Sequence, residues 1–336
     1  MERLPVLDLS RLDGPDAADV GVELREILHD VGFLQLAGHG VDPSLVRDVL
    51  AVSRRFFALP EADKLAIENV NSPQFRGYTR TGEELTNGEV DWREQLDFLP
   101  ERDVVPRGPG VPDYWRLEGP NLWPAALPEM RGLLARWNDA LERVSLRLLR
   151  ALAVSLGAPA DAFDATFADR PSLFVKIVRY PGREDAGQGV GAHRDGGVLT
   201  LLLLEPGSTG LQVEHEGEWV DVPPRDGTFV VNIGEMLELA TDGYLKATLH
   251  RVLSPPQGHD RVSVPFFFNP RLDARMPHLT LPPELRSGAR GVSADPTDQP
   301  ILPTYGDNVL RYRLRAHPNV AAVHHPDLLA RVTPAG

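Results

Sequence analysis

Three side chains that suit metal binding fall in two short segments of the chain. His193 and Asp195 flank Arg194 in the run Gly-Ala-His-Arg-Asp, and His250 follows in Thr-Leu-His-Arg-Val. In an extended segment residues i and i+2 share a face, so His193 and Asp195 can reach one metal while Arg194 points away. Two imidazoles and a carboxylate with open opposite positions are the ligand set of a non-haem Fe(II) oxygenase. With ten histidines in the chain, the triplet alone is weak evidence.

A basic residue and a hydroxyl residue that follow His250 strengthen this interpretation. Arg261 and Ser263 are separated by one residue and therefore share a face of the next β-type run. A guanidinium fork and a hydroxyl are suited to binding a carboxylate end-on. An isolated pair of this kind is more often a surface feature. Because this one follows a candidate ligand by one hairpin's length, we expect a carboxylate-bearing cosubstrate.

The remaining histidines outside these segments lack such partners. We interpret four of them as surface or packing residues and an adjacent pair as solvated in a polar tail: His39, His215, His259 and His317, and then His324 with His325.

Composition narrows the chemistry further. The 336 residues contain no cysteine, which excludes disulfides, thiolate nucleophiles and iron–sulfur clusters. The formal net charge of −13 argues against nucleic acid or an anionic membrane surface as a partner and favours a small-molecule substrate. We see neither a signal peptide nor an apolar run long enough to span a membrane, so a cytoplasmic location is expected.

The order of predicted elements indicates an α+β fold, with helices first and a sheet second. A continuous apolar stripe predicts a helix from Trp123 to about Leu156. Residues 70–125 are rich in Gly, Pro and charge and are predicted to be an irregular loop region. Short β-type runs between turn clusters follow from about Ser172 and predict an antiparallel double sheet such as a jelly roll.

We therefore expect a single oxygenase domain over 1–336. Its predicted parts are a mainly helical N-terminal scaffold (1–171), a jelly-roll core with the metal and cosubstrate site (172–272) and a C-terminal cover and tail (273–336). Tyr305–His317 is predicted to be a helix whose three arginines either form a solvated basic face or meet an anionic substrate. They are Arg311, Arg313 and Arg315.

At this point the sequence resembles the isopenicillin N synthase-like family of 2-oxoglutarate- and Fe(II)-dependent dioxygenases. The resemblance covers most of the chain and rests on several ordered motifs. These are residues 31–40 (Val-Gly-Phe-Leu-Gln-Leu-Ala-Gly-His-Gly), residues 56–60 (Phe-Phe-Ala-Leu-Pro), His193-x-Asp195, residues 210–213 (Gly-Leu-Gln-Val), residues 232–235 (Asn-Ile-Gly-Glu), residues 250–252 (His-Arg-Val) and Arg261-x-Ser263.

The resemblance implies a double-stranded β-helix core with supporting N-terminal and central helices. It implies iron on His193, Asp195 and His250, and 2-oxoglutarate bound through its distal carboxylate by Arg261 and Ser263. Tyr180, which precedes a proline as in the family, would also contact the cosubstrate. Phe267 corresponds to a position that often lines the substrate pocket, and sheet packing explains it equally well. Asn232 either supports the metal site or caps a turn.

The expected activity is oxidation of a C–H bond, by hydroxylation or desaturation, using Fe(II), 2-oxoglutarate and O₂. A small molecule of bacterial specialised metabolism is the expected substrate, and the protein is expected to be a monomer or a weak homo-oligomer. Two alternatives remain open. One is an oxidative cyclase of the isopenicillin N synthase type, which uses no 2-oxoglutarate. The other is a jelly-roll binding protein without catalysis.

Overall fold

The protein is described by a computed structural model that covers residue 1 and residues 3–185, 187–293 and 301–332. The strands are β1 (Val6–Asp8), β2 (Phe33–Ala37), β3 (Gly77–Thr79), β4 (Leu85–Thr86), β5 (Glu89–Val90), β6 (Glu94–Phe98), β7 (Ser172–Pro181), β8 (Gln188–His193), β9 (Leu199–Leu204), β10 (Leu211–His215), β11 (Glu218–Asp221), β12 (Phe229–Ile233), β13 (His250–Leu253) and β14 (Asp260–Asn269). The helices are α1 (Ala17–Asp30), α2 (Pro43–Phe57), α3 (Glu61–Leu65), α4 (Met130–Ser155), α5 (Asp164–Phe167), α6 (Glu235–Ala240), α7 (Pro283–Arg286), α8 (Tyr305–Ala316), α9 (Pro318–His324) and α10 (Pro326–Val332).

Two sheets form the core of the fold. The larger has eight strands in the order β1-β2-β12-β9-β14-β7-β6-β3, and the smaller has four in the order β11-β10-β13-β8. Every pairing within them is antiparallel except β1 with β2. The α+β jelly-roll prediction is confirmed.

The helices cover the outer face of the larger sheet. The apolar stripe of α4 buries Trp137, Leu141 and Leu148 in one continuous core with residues from α1, α2 and that sheet. This helix begins at Met130, later than predicted, because Pro124 and Pro128 lack an N–H and disfavour helical backbone in the residue before each.

A second, smaller core lies between the two sheets. It contains Phe33, Val178 and Tyr180 from the larger sheet and Val213 and Val252 from the smaller one. Strands of both sheets therefore direct alternate side chains into a shared interior, and the candidate site lies there.

The prediction that residues 70–125 are irregular is wrong in part. Strand β6 in this region pairs with β7 over five residues, from Glu94 opposite Arg179 to Phe98 opposite Val175. The alternation was hard to recognise because the inward face of β6 is polar: Asp97 lies opposite Lys176 and is buried beside it. Four strands before residue 172 belong to the larger sheet, so the sheet extends beyond the predicted core segment.

The C-terminal helix is where the sequence predicts it, as α8, but its surroundings differ. Arg313 is buried and donates to Asp97 Oδ2 at 2.7 Å, so it is not part of a solvated basic face. His317 is fully buried beside Arg313 and Glu84. His325 is also fully buried and stacks on Phe75, which contradicts the solvated tail. Charged and aromatic partners distant in sequence bury these residues.

Among the described residues, no helix has the length and apolar character needed to cross a membrane.

Candidate metal and cosubstrate site

Three potential metal ligands meet at the end of the smaller sheet. His193 is the last residue of β8, and it pairs in register with His250, the first residue of β13. Asp195 follows in the turn after β8. One ligand atom from each residue lies within 4.8 Å of the others, and Asp195 Oδ1 is 3.6 Å and 3.7 Å from the two histidine Nε2 atoms. This spacing suits a single ion bound on one face.

The backbone orients both imidazoles toward that common point. The Nδ1 atom of His193 lies 2.8 Å from Gly191 O, and that of His250 lies 3.2 Å from Thr248 O. A carbonyl oxygen only accepts, so each Nδ1 carries the proton and each Nε2 lone pair is available to a metal. Burial lowers the pKa of both rings, that of His250 to about 4. Neutral imidazoles are the form that binds a metal.

The two oxygens of Asp195 have different surroundings. Oδ2 accepts from Thr200 Oγ1 at 2.6 Å and from Asn232 Nδ2 at 2.8 Å, which leaves Oδ1 toward the histidines. Burial alone raises the pKa of this carboxyl, but the two histidines and these two hydrogen bonds outweigh it and lower the pKa below its ordinary value. The carboxylate is thus held ionised with one oxygen directed at the ion position.

A buried guanidinium lies farther along the same interior. Arg261 on β14 lies opposite Tyr180 on β7, and its guanidinium lies 4.7 Å from the centre of that ring. The side chain is 1% exposed, and its Nη1 has no hydrogen-bond partner among the described residues. Burial lowers the Arg261 pKa. An unsatisfied buried cation is costly, so this geometry fits a ligand carboxylate that accepts from Nη1.

One cavity of about 410 Å³ connects these groups. All eight residues singled out from the sequence line it: His193, Asp195, His250, Arg261, Ser263, Tyr180, Phe267 and Asn232. Phe267 lines the cavity and also stacks on Phe174 with ring centroids 5.2 Å apart, so both interpretations of it apply. Asn232 donates to the candidate ligand Asp195 rather than capping a turn.

Several cavity residues were not recognised in the sequence. Thr200 lies on the neighbouring strand β9, opposite Asn232. Its position as the one polar residue in the apolar run Leu-Thr-Leu-Leu-Leu-Leu was the sequence feature that could have identified it. Arg194, expected to point away, lines the cavity as well, with its Nε donating to Ala247 O at 2.9 Å. Charged or polar residues from segments outside the core strands had no local signal. These are Glu84, Thr86, Asn87, Arg93 and Glu235. The predicted C-terminal cover contributes Tyr312 and Arg315 to the lining, and Arg315 is one of the three arginines for which contact with an anionic substrate was an alternative.

Comparison with known proteins agrees with this geometry. Residues 4–126 match the family "non-haem dioxygenase in morphine synthesis N-terminal", and residues 172–270 match the 2OG-Fe(II) oxygenase superfamily. The chain is 37% identical to the 2-oxoglutarate-dependent dioxygenase frbJ of a Dothideomycetidae species, over 98% of this chain and 95% of that one. It is 35% identical to homoarginine-6-hydroxylase 2-ODD-C23.1 of Arabidopsis thaliana, over 86% of this chain and 91% of that one.

Solved structures show the same fold. JOX2 in complex with 2OG, Fe and JA superposes with a TM-score of 0.73 at 26% identity, over 95% of this chain and 88% of that one. A 2OG-Fe(II) oxygenase family protein from Caulobacter crescentus gives a TM-score of 0.74 at 27% identity, over 94% of this chain and 99% of that one.

The chain belongs to the 2-oxoglutarate- and Fe(II)-dependent oxygenase superfamily. Within it the protein is a 2-oxoglutarate-dependent dioxygenase, an oxidoreductase that uses Fe(II), 2-oxoglutarate and O₂.

Proposed function

We propose that the cavity binds Fe(II) through His193, Asp195 and His250 and oxidises a C–H bond of a small molecule. The observation that carries the proposal is the convergence of three ligand atoms at one end of a cavity whose other wall holds the orphan Nη1 of Arg261. Iron and 2-oxoglutarate supply the oxidising chemistry when bound, by coupling decarboxylation of the keto acid to activation of O₂.

The chain's own residues bind and orient. The Arg261 guanidinium and the Ser263 hydroxyl grip the distal carboxylate of 2-oxoglutarate, while Tyr180 packs its ring against Arg261 and fixes the direction of the fork. Thr200 and Asn232 hold Oδ2 of Asp195, so that Oδ1 would be the oxygen available to iron. The apolar residues between the sheets, Val190 and Val252 among them, keep bulk water away from the reacting atoms.

Hydroxylation is the outcome that the relatives support, because the Arabidopsis, rice and soybean relatives are named homoarginine-6-hydroxylases. We assign a small-molecule C–H hydroxylation to this chain on that ground, and desaturation remains the second possible outcome of the same chemistry. The assignment to bacterial specialised metabolism stays a prediction. The fungal relative and the three plant relatives named above share 32% to 37% identity with this chain, and none of these four is bacterial.

Anaerobic reconstitution tests the site. Adding Fe(II) and 2-oxoglutarate to the purified protein is expected to give the weak visible charge-transfer band of an iron–keto-acid chelate, and His250→Ala is expected to abolish it. Absence of the band in wild type, or an unchanged band in the variant, contradicts the proposal.

The oxidative-cyclase alternative makes a different prediction. A dioxygenase of the proposed kind consumes O₂ only with 2-oxoglutarate and releases succinate, whereas the cyclase consumes O₂ without it. Oxygen uptake measured with and without 2-oxoglutarate, together with succinate analysis, separates the two. The similarity to a 2-oxoglutarate-dependent dioxygenase over 98% of this chain favours the keto-acid enzyme.

A further inference from the structure

Charged side chains of both signs line the cavity in addition to the residues proposed to bind iron and 2-oxoglutarate. Glu84, Arg93 and Lys176 lie on one wall, and Glu235 and Arg315 lie on another. A pocket for an apolar substrate would bury such groups only at a desolvation cost. Their presence indicates a small substrate that is itself charged.

Lys176 is the central group of the first wall. It lies on the same face of β7 as Tyr180, because the two residues are four positions apart in the strand. Its Nζ contacts both carboxylate oxygens of Glu84, at 2.8 Å and 3.2 Å. Arg93 also binds Glu84, at 2.9 Å. Two cations on this wall thus share one cavity-lining carboxylate.

Stability alone does not explain this ion pair. Replacing a buried ion pair by apolar residues of similar volume is often neutral or stabilising. Here the pair lies at the cavity surface, where the ammonium of Lys176 has three donor positions for its acceptors. One of these can serve a substrate carboxylate while Glu84 keeps the ammonium in place.

Glu235 provides a carboxylate on the other side. It is 7% exposed, begins α6, and its backbone N–H donates to Asp195 O at 2.8 Å, which fixes it beside the metal position. The Tyr312 hydroxyl donates to its Oε2 at 3.3 Å. Burial and the neighbouring Glu235 raise the Tyr312 pKa, so the phenol stays a donor. A carboxylate has about four acceptor sites, so Glu235 can also accept from a substrate cation.

The two groups lie well apart along the larger sheet, with Glu235 beside the metal position. Strand β12, which leads into Glu235, and β7, which carries Lys176, are separated by β9 and β14. Three strand spacings correspond to about 14 Å along the curved sheet. An extended substrate with opposite charges at its ends can therefore span the cavity with its cationic end beside the metal position.

We infer that the substrate is a small basic amino acid, or a close derivative, whose carboxylate binds Lys176 and whose side-chain cation binds Glu235. This inference rests on the proposed function, since it names the substrate class of the same site. Glu84 acts as a positioning residue that holds the Lys176 ammonium toward the cavity.

Three probes of nearly equal shape test the two charge contacts. L-arginine has both charges, agmatine lacks the carboxylate, and L-citrulline has a neutral urea in place of the guanidinium. Each is titrated calorimetrically, without oxygen, into protein loaded with Fe(II) and 2-oxoglutarate, so that binding is measured without turnover. We expect L-arginine to bind at least about tenfold more tightly than either analogue, the effect of one charge-assisted contact.

Variants assign each contact to a residue. Lys176→Met is expected to remove the preference for L-arginine over agmatine. Glu235→Gln is expected to remove the preference for L-arginine over L-citrulline. Lys176→Arg, which keeps the charge, is expected to retain most of the first preference. The matched control is Lys64→Met, because Lys64 forms a similarly buried ion pair with Glu94, at 3.0 Å, outside the cavity lining. It should leave both preferences unchanged.

The outcomes separate this inference from the proposed function. If wild type shows the chelate band but binds L-arginine no better than the two analogues, the substrate class is wrong and the iron site stands. The same holds if the preferences survive Lys176→Met and Glu235→Gln. Absence of the band removes the proposed function itself. The wild-type titrations decide the substrate class even if a variant fails to fold.

Discussion

The two oxygens of Asp195 have different roles, since Oδ2 accepts from Thr200 and Oδ1 faces the two histidines. Thr200 is therefore expected to affect metal binding without contacting the metal. Thr200→Val keeps the shape of the side chain and removes the 2.6 Å hydrogen bond to Oδ2. The carboxylate then becomes free to rotate or to bind through both oxygens. Loss of such a supporting contact typically weakens metal binding by roughly 10- to 100-fold.

We therefore expect Thr200→Val to weaken Fe(II) affinity by about tenfold or more, measured by anaerobic titration. Thr228→Val is the control, because its hydroxyl donates to Arg225 O in an exposed turn. Equal iron affinities for wild type and Thr200→Val would show that Asn232 alone holds Asp195.

Arg261 provides a second test at the level of one side chain. Arg261→Lys keeps a positive charge but loses the planar fork, and its ammonium cannot reproduce two parallel hydrogen bonds. We expect 2-oxoglutarate affinity to fall by at least about tenfold, with iron affinity little changed, when both are titrated separately. A variant that binds 2-oxoglutarate as tightly as wild type would mean that Arg261 does not anchor its carboxylate.

The turn that carries Asp195 is held against the start of α6 by close backbone packing. A Cβ added to Gly234 would lie 2.3 Å from Gly197 O and 2.6 Å from Asp195 O, far inside contact distance. The Gly234 φ of −105° is accessible to any residue, so Gly234→Ala tests this packing alone. We expect it to displace the Asp195 turn and to weaken iron binding more than Thr200→Val does.

Gly132→Ala is a suitable control for that substitution, because nothing lies within 4 Å of its added Cβ on the exposed side of α4. Calorimetric melting of the metal-free proteins checks the fold in parallel. Unchanged iron binding and an unchanged melting temperature in Gly234→Ala would show that the turn can relax at little cost.

Elements were predictable from sequence where their pattern is local. The i, i+2 spacing of His193 with Asp195 and of Arg261 with Ser263 identified groups that the structure brings to one cavity. Strand β6 was missed because its inward residues, Gln95 and Asp97, are polar, and Asp97 finds its partners on β7 and α8. Glu84 and Glu235 were missed as cavity residues for the same reason, since only tertiary packing shows what they face.

Over the whole molecule, buried charges from distant segments meet in one cluster around His317. Its neighbours are Glu84 before β4, Arg93 before β6, Lys176 on β7 and Arg313 on α8. Burial, with these three cations, outweighs Glu84 and lowers the His317 pKa from 6.5 to about 3. The folded protein therefore keeps this ring neutral while the unfolded chain protonates it.

This difference sets the sign of a pH effect on stability. Between about pH 6.5 and pH 3 the unfolded chain binds a proton at His317 that the folded protein does not bind. This proton uptake by the unfolded chain lowers the free energy of unfolding progressively as the pH falls through that window. Above pH 6.5 neither state binds the proton, and the free energy of unfolding is not reduced. We expect His317→Gln, which keeps a polar neighbour for Arg313, to flatten the fall in stability on acidification.

Urea unfolding of metal-free protein at several pH values from about 7 to about 4 measures this slope. Metal-free protein is needed because iron release from His193 and His250 would add a pH dependence of the same sign. These two histidines also have lowered pKa values and remain in both proteins, so they cancel in the comparison. A slope equal in wild type and His317→Gln would mean that the cluster accommodates a protonated ring, and that its charges rearrange as the pH falls.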